Sequence, residues 1–221
     1  MFFIPSTMSQ SINLPAIVYY PVARFFRPQM MIPHFLAKDI GCINPAALKD
    51  AGFQGVVFDK DNTLTNPYSL ELHPDVAKAF IDYKRVFGEN LAIMSNDAGT
   101  NDDRGQKKAV SIESLMDINV IRHKLKKPFG IRGVTDYFGC EPKRLVVFGD
   151  RLFTDIVFGN RYGMLTILVD PFTEVGDNPR AVSIRRGERQ LLDKLLEGGG
   201  TPPYQKSYLT TRSLLDKKEL K

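Results

Sequence analysis

Five short, mainly apolar runs, separated by polar or helical segments, constrain the fold of this 221-residue chain most strongly. The runs are residues 55–58, 91–94, 119–122, 144–148 and 165–169. The spacing of apolar residues predicts helices over 74–87, 154–162 and 186–196. Strands without polar alternation are buried on both faces, so this order of elements predicts an α/β fold with a parallel sheet covered by helices on both faces. Ligands of such sheets bind beyond the carboxyl ends of the strands.

Two carboxylates stand directly after the first of these strands. Asp59 and Asp61 are two residues apart, and a turn of the chain there would bring both into one cleft. Two like charges buried together are costly unless a cation joins them. Mg²⁺ takes one or two carboxylates together with substrate phosphate, so the pair suits a magnesium site. A loop built from side-chain-to-backbone turns uses the same residue types, so the pair alone does not decide.

Polar clusters also follow the next three strands. Ser95 and Asn96 follow the second strand, the lysine-rich segment 123–128 follows the third, and Asp150 and Asp155 follow the fourth. Taken singly, these are equally typical of an ordinary loop, a solvated basic patch and a helix cap. Together they put a hydroxyl, an amine and further carboxylates at one edge of the sheet, which is the inventory of metal-assisted phosphoryl transfer.

The complete motif set is Asp59-x-Asp61-x-Thr63, Ser95, Lys127-Pro128 and Gly149-Asp150-x-x-x-Thr154-Asp155. It resembles the four motifs of the haloacid dehalogenase (HAD) superfamily over roughly residues 53–170. The phrases FDKDNTLT, LAIMSNDAGTNDD, KKPFG and VVFGDRLFTDIVFGNRYGM are further similar to the fungal mitochondrial phosphatidylglycerophosphatases and their bacterial relatives. Residues 12–42 resemble the fungal branch in particular. The resemblance implies an HAD-like Rossmannoid fold and a Mg²⁺-dependent phosphatase that works through a phospho-aspartate.

The resemblance also implies a role for each motif residue. Asp59 is the nucleophile, Asp61 the general acid and base, and Asp59, the Asp61 backbone carbonyl and Asp150 are the metal ligands. Ser95 and Lys127 hold the phosphoryl oxygens, with Lys124 and Lys126 as rival amines.

Three further residues are expected around this set. Asp155 orients Lys127 or a metal-bound water, and Thr63 and Asn96 support the phosphate site from behind. Lys60 should point away from the cleft, because successive side chains of a strand alternate in direction.

The implied substrate is phosphatidylglycerophosphate, and the implied product is phosphatidylglycerol for cardiolipin synthesis on the matrix side of the mitochondrial inner membrane. The intervals 62–94 and 96–126 between the motifs are too short to contain a separate cap domain. The cleft should therefore admit a phosphate group that is carried on a large molecule. Two alternatives stay open. One is an HAD phosphatase acting on a phosphoprotein or a nucleic-acid end. The other is a non-catalytic HAD-fold scaffold, whose mark, the loss of Asp59 or Asp61, is not present.

The N-terminal region is apolar and aromatic, and it has no acidic residue before Asp39. We divide the chain into an arm (1–45), an HAD-like phosphatase domain (46–200) and a C-terminal tail or surface strap (201–221). Apolar and aromatic residues beside basic ones suit a membrane interface, and packing on the domain or on a second subunit is an equal alternative. The candidate residues for membrane contact or assembly are Arg24, Phe25, Phe26 and Arg27. Removing residues 1–38 is expected to leave hydrolysis of small esters intact.

Charge and cysteine content set the remaining expectations. Thirty basic and 25 acidic residues give a net charge of +5, which favours anionic partners. With the aromatic arm, that points to an anionic membrane surface rather than nucleic acid, and to a peripheral homo-oligomer. Prolines interrupt the N-terminal apolar stretch, which argues against a membrane span. An acid-poor leader is typical of mitochondrial import, although the first basic residue comes late. Cys42 and Cys140 predict two packed thiols in a reducing compartment.

Overall fold

A six-stranded, all-parallel sheet forms the centre of the computed structural model, which describes residues 14–208. The strands are β1 (Phe35–Ala37), β2 (Gly55–Phe58), β3 (Leu91–Ile93), β4 (Asn119–Val120), β5 (Leu145–Gly149) and β6 (Leu165–Val169). Their spatial order is β1-β6-β5-β2-β3-β4. The chain therefore leaves β2 toward one edge and later returns to its other side as β5. This confirms the α/β class and places the reversal of strand order between β2 and β5, where such sheets bind ligands.

The helices are α1 (Leu14–Pro21), α2 (Pro45–Asp50), α3 (Pro74–Phe87), α4 (Lys107–Met116), α5 (Ile131–Phe138), α6 (Val157–Tyr162) and α7 (Pro179–Glu197). Helix α3 has the predicted bounds, with a proline at its first position and Gly88 after its last. Helix α7 begins earlier than the apolar spacing predicts, because Asn178 caps it and Pro179 occupies its first position. The predicted helix 154–162 is a π-helical turn at Leu152–Ile156 that continues into α6.

The sheet is buried on both faces, as unbroken apolar strands predict. Val56 and Phe58 of β2 point to a core shared with α2, α3 and α4, whereas Val57 points to the opposite face with α5 and α6. This alternation fixes the direction in which β2 ends, and Asp59 follows at once at the carboxyl edge.

Part of the N-terminal region belongs to the sheet itself, which the sequence patterns did not predict. Strand β1 pairs in parallel with β6, with Phe35 opposite Ile167. Met31 and Ile32 pack in a core cluster with residues of α6, β6 and α7, and the Asn160 side chain donates to the backbone oxygen of Ile32 at 2.8 Å. A three-residue strand between prolines shows too few apolar repeats to be recognised. Removing residues 1–38 would delete this edge, so we now expect that truncation to destabilise the domain.

Residues 201–208 form a strap over the surface rather than a free tail. The Gln205 side chain is buried and donates to the backbone oxygen of Lys143 at 2.9 Å. The ring of Tyr208 lies 5.3 Å from that of Phe35, on the edge strand β1. The strap therefore ties the end of the described chain to its beginning, while residues 209–221 of the predicted tail lie outside the described part. Cys42 and Cys140 are free thiols. Within residues 14–208, no helix has both the length and the apolar content that a membrane crossing requires.

Candidate active site

Three carboxylates from two neighbouring strands meet at the switch point. Asp59 follows β2, and its backbone N–H donates to Phe148 of β5 at 2.9 Å, which continues the ladder into the loop. Asp150 and Asp155 follow β5. One oxygen from each of these three aspartates lies within 4.8 Å of the others. Adjacent parallel strands thus bring together residues about 90 positions apart, as the sheet rule predicts.

Lys127 lies at the centre of this cluster. Its side chain is almost fully buried, and its Nζ donates to Asp59 Oδ1 at 2.7 Å and to Asp155 Oδ1. Burial acts to lower the pKa of Lys127, but the charges of Asp155 and Asp59 outweigh it, so the pKa is raised and the amine stays protonated. Its backbone N–H donates to the side-chain oxygen of Asn96 at 2.7 Å, which joins the loops after β3 and β4.

The two rival lysines have other positions. Lys124 is exposed, and Lys126 forms an ion pair with Asp102 at 2.8 Å. Lys126 lines the cleft, but its ammonium is paired with Asp102, whereas the Lys127 ammonium contacts Asp59 and Asp155. These contacts favour Lys127 as the amine of the carboxylate cluster.

The carboxylate of Asp155 accepts a hydrogen bond from the Lys127 ammonium and is itself fixed by several neighbours. Its second oxygen accepts from the Arg151 backbone N–H and the Thr154 hydroxyl, each at 3.2 Å. A Cβ at Gly149 would lie 2.3 Å from Asp155 Cγ, so only glycine allows the carboxylate this position. Burial raises the pKa of Asp155 to about 6, against the opposing charge of Lys127. These contacts are those that an orienting role requires, and the role itself stays a prediction.

Asp150 has a partner that the sequence motifs did not reveal. Arg185 of α7 donates through Nε to Asp150 Oδ2 at 2.7 Å and through Nη2 to Asp177 Oδ2 at 2.9 Å. Burial raises the pKa of Asp150 to about 8, although Arg185 opposes the shift. Asn178-Pro179 is a readable start of a helix, and recognising it would have put Arg185 inside α7, about two turns from the cap.

The donor set fits a hard divalent cation. All three clustered groups are carboxylates, and three like charges this close together in a buried site need more positive charge than Lys127 and Arg185 supply. Mg²⁺ prefers oxygen ligands of this kind. Asp155 joins Asp59 and Asp150 in the cluster, whereas the carboxylate of Asp61 lies outside it. Ligation by the backbone carbonyl of Asp61 stays a prediction.

Asp61 lines the same cleft with a partly exposed carboxylate. Its Oδ1 accepts from Lys60 Nζ at 2.5 Å and from the Tyr68 backbone N–H at 2.8 Å. Burial raises the pKa of Asp61, and the charge of Asp59 adds to this, while Lys60 acts in the opposite direction. Lys60 does not line the cleft, as expected, but its side chain is buried beneath the loop. Its contact with Asp61 was not foreseen, because strand alternation ends where the chain turns.

Ser95 and Thr63 differ in their access to the cleft. Ser95 lines it, and its Oγ accepts from the Asp97 N–H at 3.1 Å, which leaves the hydroxyl hydrogen available to a phosphate oxygen. Thr63 is fully buried, does not line the cleft, and its hydroxyl has no hydrogen-bond partner among the described residues. Thr63 therefore supports the loop rather than touching a phosphate.

The cleft above these residues has a volume of about 590 Å³, and its walls come from the two ends of the described chain. Ala16 and Tyr20 of α1 form one side together with Phe153, whose ring lies 4.9 Å from that of Tyr20. Helix α7 forms the other side. The intervals 62–94 and 96–126 contain only loops, single helices and strands of the sheet layers, without a cap domain among the described residues.

The arm residues next to this cleft are largely exposed. Phe25 is 72% exposed, the Arg24 guanidinium lies 5.6 Å from its ring centre, and Arg27 is exposed. The side chain of Phe26 lies outside the described part of the structure. Ala23, directly before Arg24, is buried in the core. The segment thus presents one face to its own domain and another to its surroundings.

The family model of mitochondrial PGP phosphatases matches residues 20–173, which contain every motif residue discussed above. This chain belongs to the PGP phosphatase family. The family match ends before α7, so Arg185 and the α7 wall of the cleft lie beyond it.

Relatives in this family include plant, algal and yeast proteins. The chain is 41% identical over 199 residues to phosphatidylglycerophosphate phosphatase 1 of Arabidopsis thaliana, covering 89% of this chain and 57% of the relative. It is 41% identical to the protein of the same name from Chlamydomonas reinhardtii, covering 79% and 65%. It is 31% identical to phosphatidylglycerophosphatase GEP4 of Saccharomyces cerevisiae, covering 78% and 91%. The chain thus spans less than two thirds of the plant and algal proteins. Identity to these is higher than to the yeast protein, so overall identity does not single out the fungal branch.

Proposed function

We propose that this protein is a Mg²⁺-dependent phosphatase that converts phosphatidylglycerophosphate to phosphatidylglycerol in cardiolipin synthesis. The observation that carries the proposal is the cluster of Asp59, Asp150 and Asp155, two of which contact the buried Lys127 ammonium, next to a cleft that Asp59, Asp61, Ser95 and Asp150 line. These are the groups that nucleophilic phosphoryl transfer needs. The printed names of the family and of its relatives supply the substrate.

The first half of the reaction uses Asp59 as the nucleophile. A carboxylate oxygen of Asp59 attacks phosphorus in line and forms an acyl phosphate, while the bond from phosphorus to the glycerol oxygen breaks. Lys127 and the Ser95 hydroxyl bind the phosphoryl oxygens and neutralise their charge. Protonated Asp61 gives its proton to the leaving oxygen. Both donors on Asp61 address Oδ1, so Oδ2 is available to carry that proton.

The second half of the reaction reverses the role of Asp61. Its carboxylate removes a proton from water, and the resulting hydroxide attacks phosphorus. The bond between phosphorus and Asp59 then breaks, which releases inorganic phosphate and restores the nucleophile. A raised pKa at Asp61 suits a group that must first give and then take a proton.

Asp59, Asp150 and the backbone carbonyl of Asp61 would hold Mg²⁺, with Asp155 next to them. When bound, the cation supplies positive charge to the transferring phosphoryl group and offsets repulsion between the carboxylates. Arg185 and Lys127 keep Asp150 and Asp155 in place.

The protein would act as a peripheral homo-oligomer on the matrix side of the mitochondrial inner membrane. Two exposed residues of the arm, Phe25 and Arg27, and the half-buried Arg24 support contact with an anionic surface, with Phe26 as a further candidate. Each basic residue near such a surface contributes about 1 kcal/mol to binding. Changing Phe25 to Asp should weaken binding to anionic vesicles, whereas the same change at the exposed Val110 of α4 should not.

The deciding experiment measures phosphate release from phosphatidylglycerophosphate in vesicles, with and without Mg²⁺. The Asp59→Asn variant is the control, and a phosphopeptide and a 5′-phosphorylated oligonucleotide are the competing substrates. Mg²⁺-dependent release from the lipid in excess of the others supports the proposal. Preference for the peptide or the oligonucleotide would replace the lipid assignment, and no release from any of them would favour a non-catalytic scaffold.

A further inference from the structure

Helix α7 lies beyond the residues that match the family, yet it forms one wall of the active-site cleft. The residues of α7 that line the cleft are Arg180, Ala181, Ile184, Arg185 and Glu188. The last four follow the i, i+3, i+4, i+7 spacing of one helical face. The whole face is therefore directed at the cleft over about two turns.

The C-terminal half of this face, with Arg185 and Glu188, is held by contacts with residues that directly follow β5. Arg185 is paired with Asp150. Glu188 accepts from Arg151 Nε and from the Leu152 N–H, each at 3.0 Å. These contacts fix the position of α7 relative to the carboxylate cluster. The N-terminal half of the helix, with Arg180, Ala181 and Ile184, therefore has a defined position relative to the phosphate that is cleaved.

The N-terminal end of this wall carries a cation that has no carboxylate partner among residues 14–208. Three cationic side chains in the cleft, Lys126, Arg151 and Arg185, are each paired with a carboxylate. Arg180 is exposed and makes no ion pair within residues 14–208. It lies five residues before Arg185, which corresponds to about 7.5 Å along the helix axis.

Apolar side chains border the cleft at this level. Ile184 is 49% exposed and faces the cleft beside Ala181. Tyr20 and Phe153, in edge-to-face contact, stand among the residues on the α1 side. The cleft thus contains a cation with no ion pair among the described residues, together with apolar side chains from α7 and from the α1 side.

On the basis of the proposed function, we propose that the N-terminal half of α7 recognises the lipid body of the substrate. Arg180 binds the phosphodiester that links the glycerol phosphate to the diacylglycerol. Ile184 and Ala181, with Tyr20 and Phe153 opposite, cover the glycerol backbone and the first carbons of the acyl chains. The substrate has two anionic groups joined by a short linker. Its terminal phosphate suits the site at the carboxylate cluster, its phosphodiester suits Arg180, and its apolar part suits the apolar side chains beside them.

The test compares kcat/KM for phosphatidylglycerophosphate in mixed micelles with kcat/KM for p-nitrophenyl phosphate, and uses their ratio as the specificity readout. The variants are Arg180→Gln and Ile184→Asp, with Arg180→Lys as a charge-conserving variant. The matched controls are Arg132→Gln in α5 and Ile81→Asp in α3, both exposed and both outside the cleft. Circular dichroism and the Mg²⁺-dependent p-nitrophenyl phosphatase activity show whether each variant is folded.

We expect the ratio to fall about fivefold to tenfold in Arg180→Gln and in Ile184→Asp, to recover partly in Arg180→Lys, and to stay within twofold of the wild type in the controls. A ratio that does not change in Arg180→Gln and Ile184→Asp, or that falls equally in the controls, overturns the α7 proposal. Wild-type protein that hydrolyses p-nitrophenyl phosphate but not the lipid would instead overturn the proposed function, and the α7 assignment with it.

Discussion

Lys127 donates a hydrogen bond from Nζ to Oδ1 of Asp59 at 2.7 Å, across 68 positions of the sequence. In the proposed mechanism, this contact aligns one carboxylate oxygen of the nucleophile and places a positive charge next to the phosphoryl oxygens. Because Asp155 holds the same amine, a single buried lysine connects the loops after β2, β4 and β5. The three motifs are therefore joined through one side chain.

Asp59→Asn should reduce Mg²⁺-dependent turnover by about a thousandfold or more, because an amide cannot attack phosphorus. The fold should be retained, since the change removes one of three crowded negative charges. Phosphate release and the thermal unfolding midpoint are the measurements. Activity within tenfold of the wild type would rule out Asp59 as the nucleophile.

Asp61→Asn should lower the steady-state rate by about 10²–10⁴-fold. With p-nitrophenyl phosphate, hydrolysis of the acyl phosphate should slow more than its formation. Nitrophenolate is a good leaving group, so its departure needs little help from a general acid. Stopped-flow measurement should then show a burst of nitrophenol of one equivalent per active site, followed by slow turnover. A slow rate without a burst would show that Asp61 is not the base for the second step.

Lys127→Ala should destabilise the fold by about 3–5 kcal/mol, because it leaves two buried carboxylates without their cation. Lys124→Ala, at an exposed neighbouring lysine, should change the free energy of unfolding by less than about 0.5 kcal/mol. Urea denaturation monitored by circular dichroism compares the two. Equal stability of both variants would contradict the buried network.

Chelation should abolish activity, and Mg²⁺ should restore it, because the clustered donors are carboxylate oxygens. Ca²⁺ should inhibit, since its larger and looser coordination displaces the attacking carboxylate. Phosphate release in EDTA, followed by titration with each cation, checks both statements. Full activity in EDTA would exclude a metal-dependent mechanism.

Stability should fall in acid because of His34, whose ring lies between Thr166 and the Pro203 backbone oxygen. Burial lowers the pKa of His34 from 6.5 to about 4. The unfolded chain therefore takes up this proton first, and stability present above pH 6.5 is lost as the pH falls toward 4, by up to about 3 kcal/mol. Comparing wild type with His34→Gln isolates this group. Equal pH dependence of their unfolding free energies between pH 7 and 4.5 would refute it.

The sequence alone determined the class of fold and indicated most of the proposed catalytic set. Unbroken apolar runs such as Val56–Val57 between helical patterns have few other stable solutions than a buried parallel sheet. Polar residues just after such runs must then gather at one edge, which is why Asp59, Ser95, Lys127 and Asp150 were identified together.

The tertiary structure alone decided what surrounds that set. Strand β1 is only three residues long, and it exists because β6 offers a free edge to pair with. Lys60 contacts Asp61 because the chain turns after β2, and Arg185 reaches Asp150 across 35 positions because α7 folds back over the sheet. Periodicity records which face of an element is buried, but not which distant element covers it. The choice of partner depends on packing of the whole chain, and here that packing supplies both walls of the cleft.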